Sequence, residues 1–211
     1  MYDIFLQSQD LEMKSNVYWC TKLGLSENDL KAWFKVNFTN DYLPRKVKDF
    51  NWKLFHGLIH TESRLKRMNY SDGICKMCNS GQIENLEHLL FGCTHNRQVW
   101  EKMERIIQSS IDKGFIANVK EVIAVFWFID LSHDSMVVDL INVLTSICRY
   151  HIWKTRNSKK YGNKTISHLQ SCKLLRYDLE SHLNVLQLSE RTSSKCKTMI
   201  DIILCQIRRV L

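Results

Sequence analysis

One proline, Pro44, and seven glycines are all the conformational punctuation in 211 residues. Such scarcity excludes turn-rich β architectures and Gly/Pro linkers, and it leaves long stretches in which nothing stops a helix. Long apolar runs are also missing. The longest, Val122 to Ile129, falls far short of the ~18 residues a spanning helix needs. The opening MYDIFLQSQD lacks a basic segment followed by an apolar one, so it does not read as a secretory signal. These absences lead us to expect a soluble intracellular protein, nuclear or cytoplasmic, with no membrane partner. No phosphate-cradling Gly loop, Ser/His/Asp order or carboxylate pair stands out, so the chain is not expected to be an enzyme.

What is present points to a folded, basic chain. Apolar residues make up 45%, enough for a core, and 30 basic against 22 acidic residues give a formal charge of +8, which favours anionic partners. Eight cysteines in a reducing compartment suggest metal binding rather than disulfides, but only three of them cluster. Cys20, Cys148, Cys172, Cys196 and Cys205 lie scattered among apolar residues and read as small buried hydrophobes.

Apolar residues recur mostly at spacings of three and four, which predicts an all-α protein, an irregular helical bundle with a small zinc knuckle inserted between helices. Ser26-x-x-Asp29 can open a helix through Phe38. After Pro44 a helix carries Val47, Phe50, Leu54 and Leu58, with Trp52 and Phe55 widening its apolar face. Thr61 to Met68 reads as a short basic turn or helix. Beyond the cysteines, Thr94 or Asn96 can cap a helix containing Val99, Trp100, Met103, Ile106 and Ile107. Val119 to Phe128 reads as a buried helix rather than a strand, although the run VIAVFWFI has no decisive period. The longest helix is expected from Asp134 to about Lys160, followed by an antiparallel pair near Thr165–Leu188 and Lys195–Leu211. The expected organisation is an N-terminal helical segment (1–43), a zinc-binding domain (44–113) and a C-terminal helical bundle (114–211).

The chemistry concentrates in GICKMCNSGQIENLEHLLFGC, Gly73 to Cys93. Cys75-x2-Cys78-x9-His88-x4-Cys93 supplies three thiols and an imidazole, the donor set of a tetrahedral structural Zn²⁺ site, one ion per chain. His95 competes with His88, but a Cys93-x-His95 pair would strain both ligands toward one centre. His56 and His60, spaced i, i+4, have no carboxylate where a metallohydrolase uses one. On a continuous α-helix His88 and Cys93 would lie about 140° apart. The helix must therefore end between them, and Gly92 in a left-handed conformation would end it, with Asn85 as N-cap. Four protein ligands leave no open position for water, so the ion is structural. Lys76 and Arg97 are placed to offset the charge of the three thiolates.

Read outward, FNWKLFHGLIHTESRLKRM, GICKMC, LEHLLFGC and NRQVW resemble, in order and spacing, the zinc-binding domain at the C-terminal end of reverse transcriptases from non-LTR, LINE-type retrotransposons. Phe50, Trp52, Lys53 and Leu54 match its first helix, and Arg64, Leu65 and Arg67 its basic segment. Glu87 to Phe91 with Cys93 match its Glu-His-Leu-Leu/Phe-x-x-Cys element, and HIWKTRNSKKYG, His151 to Gly162, echoes a downstream helix. Ile59-His60-Thr61 stands where the family commonly has proline. The resemblance implies an accessory module that holds RNA or DNA for a polymerase domain of a reverse transcriptase. With no Asp-Asp dipeptide, the paired aspartates of a polymerase palm are missing, so a detached fragment or remnant is expected.

Between Arg149 and Lys164 the chain carries Arg149, Lys154, Arg156, Lys159, Lys160 and Lys164 with no acid, interleaved with Tyr150, Trp153 and Tyr161. Cations neutralise phosphates and aromatics stack on bases, so this stretch, with Arg64, Lys66 and Arg67, is the expected nucleic-acid surface, of little sequence specificity. Trp153 itself reads as core. The competing reading is a zinc-stabilised helical module that binds another protein.

Overall fold

The computed structural model describes residues 40–78, 80–117, 134–162 and 164–211, with isolated positions 21, 24, 26, 28, 31, 34, 37 and 38. The expected helix at Val119–Phe128 and most of the one from Ser26 to Phe38 lie outside these residues, as does Cys20. The chain forms two compact units, Met1–Ile59 and His60–Leu211.

In the first unit, Pro44 immediately precedes α1, Arg45–Phe55, where its fixed φ of −60° suits the approach to a helix. Val47, Phe50, Leu54 and Phe55 are buried, and Phe34 meets Phe55 edge to face with ring centroids 5.0 Å apart. Asn51 is buried on the same helix, its amide donating to Asn37 at 2.9 Å. The expected helix ran on through Leu58, but it stops at Phe55. Gly57, at φ +62°, lets the Leu58 N–H reach back to the Lys53 carbonyl and its own N–H to Leu54, a left-handed cap that glycine adopts without strain. Trp52, expected to widen the apolar face, is instead 37% exposed.

The second unit begins with α2, Glu62–Arg67, capped by the Thr61 hydroxyl, which accepts from the Arg64 N–H. A π-helical turn, His88–Gly92, leads into α3, Thr94–Ser110. Then follow α4, Ser135–Gly162, α5, His168–Leu188, and α6, Ser194–Val210. Among the described residues the extended pairing is confined to an isolated antiparallel bridge, Ile74–Ile83. The all-α expectation is met.

Helix α3 is the hub, packing against the π-turn, α4, α5 and α6. Val99, Trp100, Met103, Ile106 and Ile107 occupy its buried stripe and are essentially inaccessible. Helices α5 and α6 form the expected hairpin. Gln187 bonds Asp201 and Glu180 pairs with Arg208, contacts whose partners recede in opposite directions along the chain, as antiparallel helices require. A Ser167/Gln170 capping box starts α5, and Ser193 caps α6. Cys148, Cys172 and Cys196 are buried as expected; Cys205 is exposed, because it lies on the side of α6 away from Ile200, Ile203, Leu204 and Ile207. No helix among the described residues is long and apolar enough to cross a membrane.

Candidate metal centre

The knuckle begins where α2 ends. Asn69, at φ +59°, closes α2 with a left-handed cap, the Tyr70 N–H returning to Leu65 O. Two backbone bonds, Cys75 N–H to Gln82 O (2.9 Å) and Glu84 N–H to Gly73 O (3.0 Å), then clamp a short hairpin across the Ile74–Ile83 bridge. Gly73 at φ +86° also lies against the Lys66 stem, which a Cβ would meet at 2.7 Å. This clamp holds Cys75 and Cys78 on one tight turn, with the Met77 N–H directed at the Cys75 sulfur at 3.4 Å.

The other two ligands come from the π-turn. Asn85 caps it as expected, accepting from the His88 N–H at 2.7 Å. Gly92, however, does not take the left-handed conformation. The turn widens instead: Cys93 N–H bonds His88 O at 2.8 Å, an i to i+5 closure that places residues five apart above one another. The angular problem of an α-helix is thereby solved without leaving helical geometry, and Cys93 follows in extended conformation as the residue preceding α3.

The ligand atoms of Cys75, Cys78, His88 and Cys93 all lie within 4.8 Å of one another. Cys75 and Cys93 sulfurs are 4.0 Å apart, and Cys78 Sγ is 3.4 Å from His88 Nε2. A tetrahedral zinc with Zn–S bonds of about 2.3 Å needs S···S edges of about 3.8 Å, so the donor set fits one ion. Cys75, Cys93 and His88 are buried and Cys78 is half-buried beside Ser80. His95 is not in the cluster. Its ring packs edge-on to His168 at 5.9 Å. His56 packs against Trp52 and Phe55, and His60 is exposed outside the cluster.

Electrostatically the site favours a thiolate before any ion arrives. The hydrogen bond from the Cys93 thiol, helped by the Cys78 and Met77 N–H groups and opposed by burial, pushes Cys75 down to about 4. The same bond, burial and the Cys75 charge push Cys93 up, so the pair shares one proton. Lys76 and Arg97, expected to offset the thiolates, are engaged elsewhere, Lys76 with Asp72 (2.5 Å) and Arg97 with Glu101 (3.9 Å). Backbone N–H groups take that role instead.

Two side chains of α3 tie the ligand-bearing turn to the hub. Asn96 Nδ2 donates to Leu89 O and Trp100 Nε1 to Leu90 O, both at 2.6 Å, supplying partners to carbonyls at the helical turn's end. Sequence reasoning had given these residues only a cap and a core position. Asn96→Ala is expected to cost ~1–3 kcal/mol, the penalty for stranding a buried carbonyl, measured as a lower denaturation midpoint of the zinc-loaded protein.

A buried ionic network backs the knuckle. Glu84, inaccessible, accepts the Glu62 N–H at 3.0 Å and Arg156 Nη2 at 2.7 Å. Arg156 Nη2 also reaches Glu62 Oε1 at 2.6 Å, and Lys160 and Ser71 complete the Glu62 shell. Burial, only partly countered by Arg156, raises Glu84 above the ordinary carboxylate range. For Glu62 burial also raises, but Lys160, Ser71 and Arg156 together outweigh it and hold the carboxyl low.

This network corrects part of the expected nucleic-acid surface. Arg156 is 2% exposed because it neutralises two buried carboxylates, and Arg149 is fully buried on the core face of α4, donating to Ser146 at 2.6 Å. Neither can reach a phosphate. Lys154 pairs with Asp178 at 2.6 Å, Lys160 with Glu62, and Lys159 donates to Met77 O at 3.4 Å. Trp153 packs beside Tyr150, ring centroids 5.7 Å apart. Lys66, Arg67 and Lys164 are exposed, and Arg64 is half-buried.

Residues 2–100 match the family model described as zinc-binding in reverse transcriptase, a span that ends at Trp100 and contains all four ligands. No curated protein and no solved structure is significantly similar to the chain. Residues 2–100, whose Cys3His cluster fits one zinc ion, are similar to the family of zinc-binding domains in reverse transcriptase.

Proposed function

We propose that this chain is an accessory module that holds RNA or DNA with little sequence specificity, derived from the C-terminal part of a LINE-type reverse transcriptase and performing no catalysis of its own. The observation that carries this reading is the surface around Glu62. Ser71 and Lys160 bind the same carboxylate, which brings the Tyr70 end of α2 beside the Tyr161 end of α4. Tyr70 is 76% and Tyr161 66% exposed, and Lys66, Arg67 and Lys164 flank them in sequence, also exposed. Exposed aromatic faces among cations are what base stacking and phosphate neutralisation need. The zinc, closed by four protein ligands, shapes this surface and activates no water.

Fluorescence anisotropy of the zinc-loaded full chain with single-stranded and duplex oligonucleotides tests the proposal. The logarithm of affinity should fall linearly with the logarithm of salt, and Lys66→Glu, Arg67→Glu and Lys164→Glu should each weaken binding and flatten that slope by about one. Tyr70→Ala and Tyr161→Ala should cost ~1–3 kcal/mol each on single strands. Absence of binding at low salt, or affinity indifferent to all five changes, would instead favour the protein-interaction reading.

A further inference from the structure

Helix α5 has two apolar faces. Cys172, Leu175, Leu179, Leu183 and Leu186 form the buried one. Roughly opposite, Leu174, Tyr177, Ser181, Val185 and Leu188 fall within about 80° of one another at 100° per residue, and every one is exposed, Tyr177 at 69% and Leu188 at 84%. Isolated exposed apolar residues are ordinary, but a continuous stripe along a 21-residue helix is not.

The stripe is symmetric about its smallest member. From Ser181 the apolar positions lie four and seven residues away in both directions. An antiparallel copy related by a two-fold axis at Ser181 sets Leu174 against Leu188 of the second copy and Tyr177 against Val185, and a serine at the axis lets the helices approach. Self-complementarity of this kind is what an isologous contact requires. The relief matches as well. An open hollow of about 500 Å³, lined by Lys164, Thr165, Ile166, Gln170, Lys173 and Leu174, lies at the end of the stripe where the projecting Leu188 of the copy would arrive.

Charge supports the same register. Lys173 flanks the stripe eight residues before the axis. On the same flank, six residues after the axis, Gln187 holds the Asp201 carboxylate. The two-fold therefore brings Lys173 of each copy level with Asp201 of the other. Glu180, beside the axis and so near its own symmetry mate, is neutralised by Arg176 and Arg208, both at 3.2 Å.

We infer that the exposed face of α5 is an isologous interface through which two copies of this chain pair antiparallel about a two-fold axis at Ser181. Sedimentation equilibrium of the zinc-loaded full chain across a concentration series tests it. The expected result is a reversible monomer–dimer equilibrium that Val185→Glu and Leu188→Glu each weaken by tenfold or more, about 1.4 kcal/mol, without loss of helical circular dichroism or zinc. Lys173→Glu should weaken it too, and Asp201→Lys added to Lys173→Glu should restore it, a rescue that general destabilisation cannot imitate. A monomer at every concentration overturns the inference. So does a dimer that these substitutions leave unchanged, or a stripe covered instead by residues 118–133 of the same chain.

Discussion

Cys78→Ser is expected to yield protein without stoichiometric zinc, whereas the unaltered chain purified under reducing conditions should carry one ion, as read by elemental analysis. Cys78 is one of four donors whose atoms all lie within 4.8 Å, and it faces His88 Nε2 at 3.4 Å. Structural zinc contributes ~10–16 kcal/mol in small peptides, more than the short Gly73–Glu84 hairpin can replace by other means. The knuckle's own apolar cluster is small: Cys75, Met77 and Cys93 with Cys78 at its edge, and three of these are ligands. Amide hydrogen exchange should therefore rise sharply from about residue 73 to 93 in Cys78→Ser, or when a chelator strips the native protein. Circular dichroism should change little, because α3 to α6 bury their own apolar stripes. Zinc affinity should also fall as pH falls, since protons compete for the thiolates, and the shared proton of Cys75 and Cys93 must leave before the ion binds. Full metal content in Cys78→Ser would remove the site as described.

Arg156→Ala is expected to destabilise the zinc-loaded protein by ~3–5 kcal/mol, the usual result of removing one partner from a buried ionic cluster. It strands Glu84, inaccessible to solvent, and withdraws one of the cations holding Glu62. The pH dependence gives the mechanism a signature. Glu62 sits below its ordinary value in the native state, so its contribution is present above the unfolded pKa and lost as pH falls through the folded one. Glu84 has the opposite sign: its folded pKa is raised, so it favours the native state when protonated and opposes it when charged. Without Arg156 the cost of keeping buried Glu84 charged grows. The deficit of Arg156→Ala should therefore shrink as pH is lowered into the carboxylate range, and Glu84→Gln in the same background should recover part of it at neutral pH. Urea denaturation at several pH values measures both effects. A deficit independent of pH would mean that Arg156 acts through packing alone.

The metal ligands were legible because their signal is local: donor type and spacing survive without any knowledge of the fold. Helices α3 to α6 were legible because apolar spacing of three and four identifies a buried stripe whatever it packs against. The π-turn was not. Sequence showed that His88 and Cys93 could not share a continuous α-helix, but a left-handed Gly92 and a widened turn both satisfy that constraint, and only the i+5 bond from Cys93 to His88 distinguishes them. The burial of Arg149 and Arg156 on α4 was not legible for a related reason. A run of basic residues looks alike whether it faces water or carboxylates brought from elsewhere in the chain. Glu62 and Glu84 lie 94 and 72 residues from Arg156, too far for any local pattern to show.

The sequence by itself determined the all-α class and the Cys3His donor set, since each rests on composition, periodicity or short spacing. Tertiary structure alone decided which charges are available. By folding α2 and the knuckle onto the end of α4, it withdrew Arg156 into a buried network, while the core face of α4 took Arg149, and it left Lys66, Arg67, Lys164, Tyr70 and Tyr161 exposed. For Arg156 the physical reason is desolvation: the buried carboxylates of Glu62 and Glu84 must be paired, and its guanidinium pairs both.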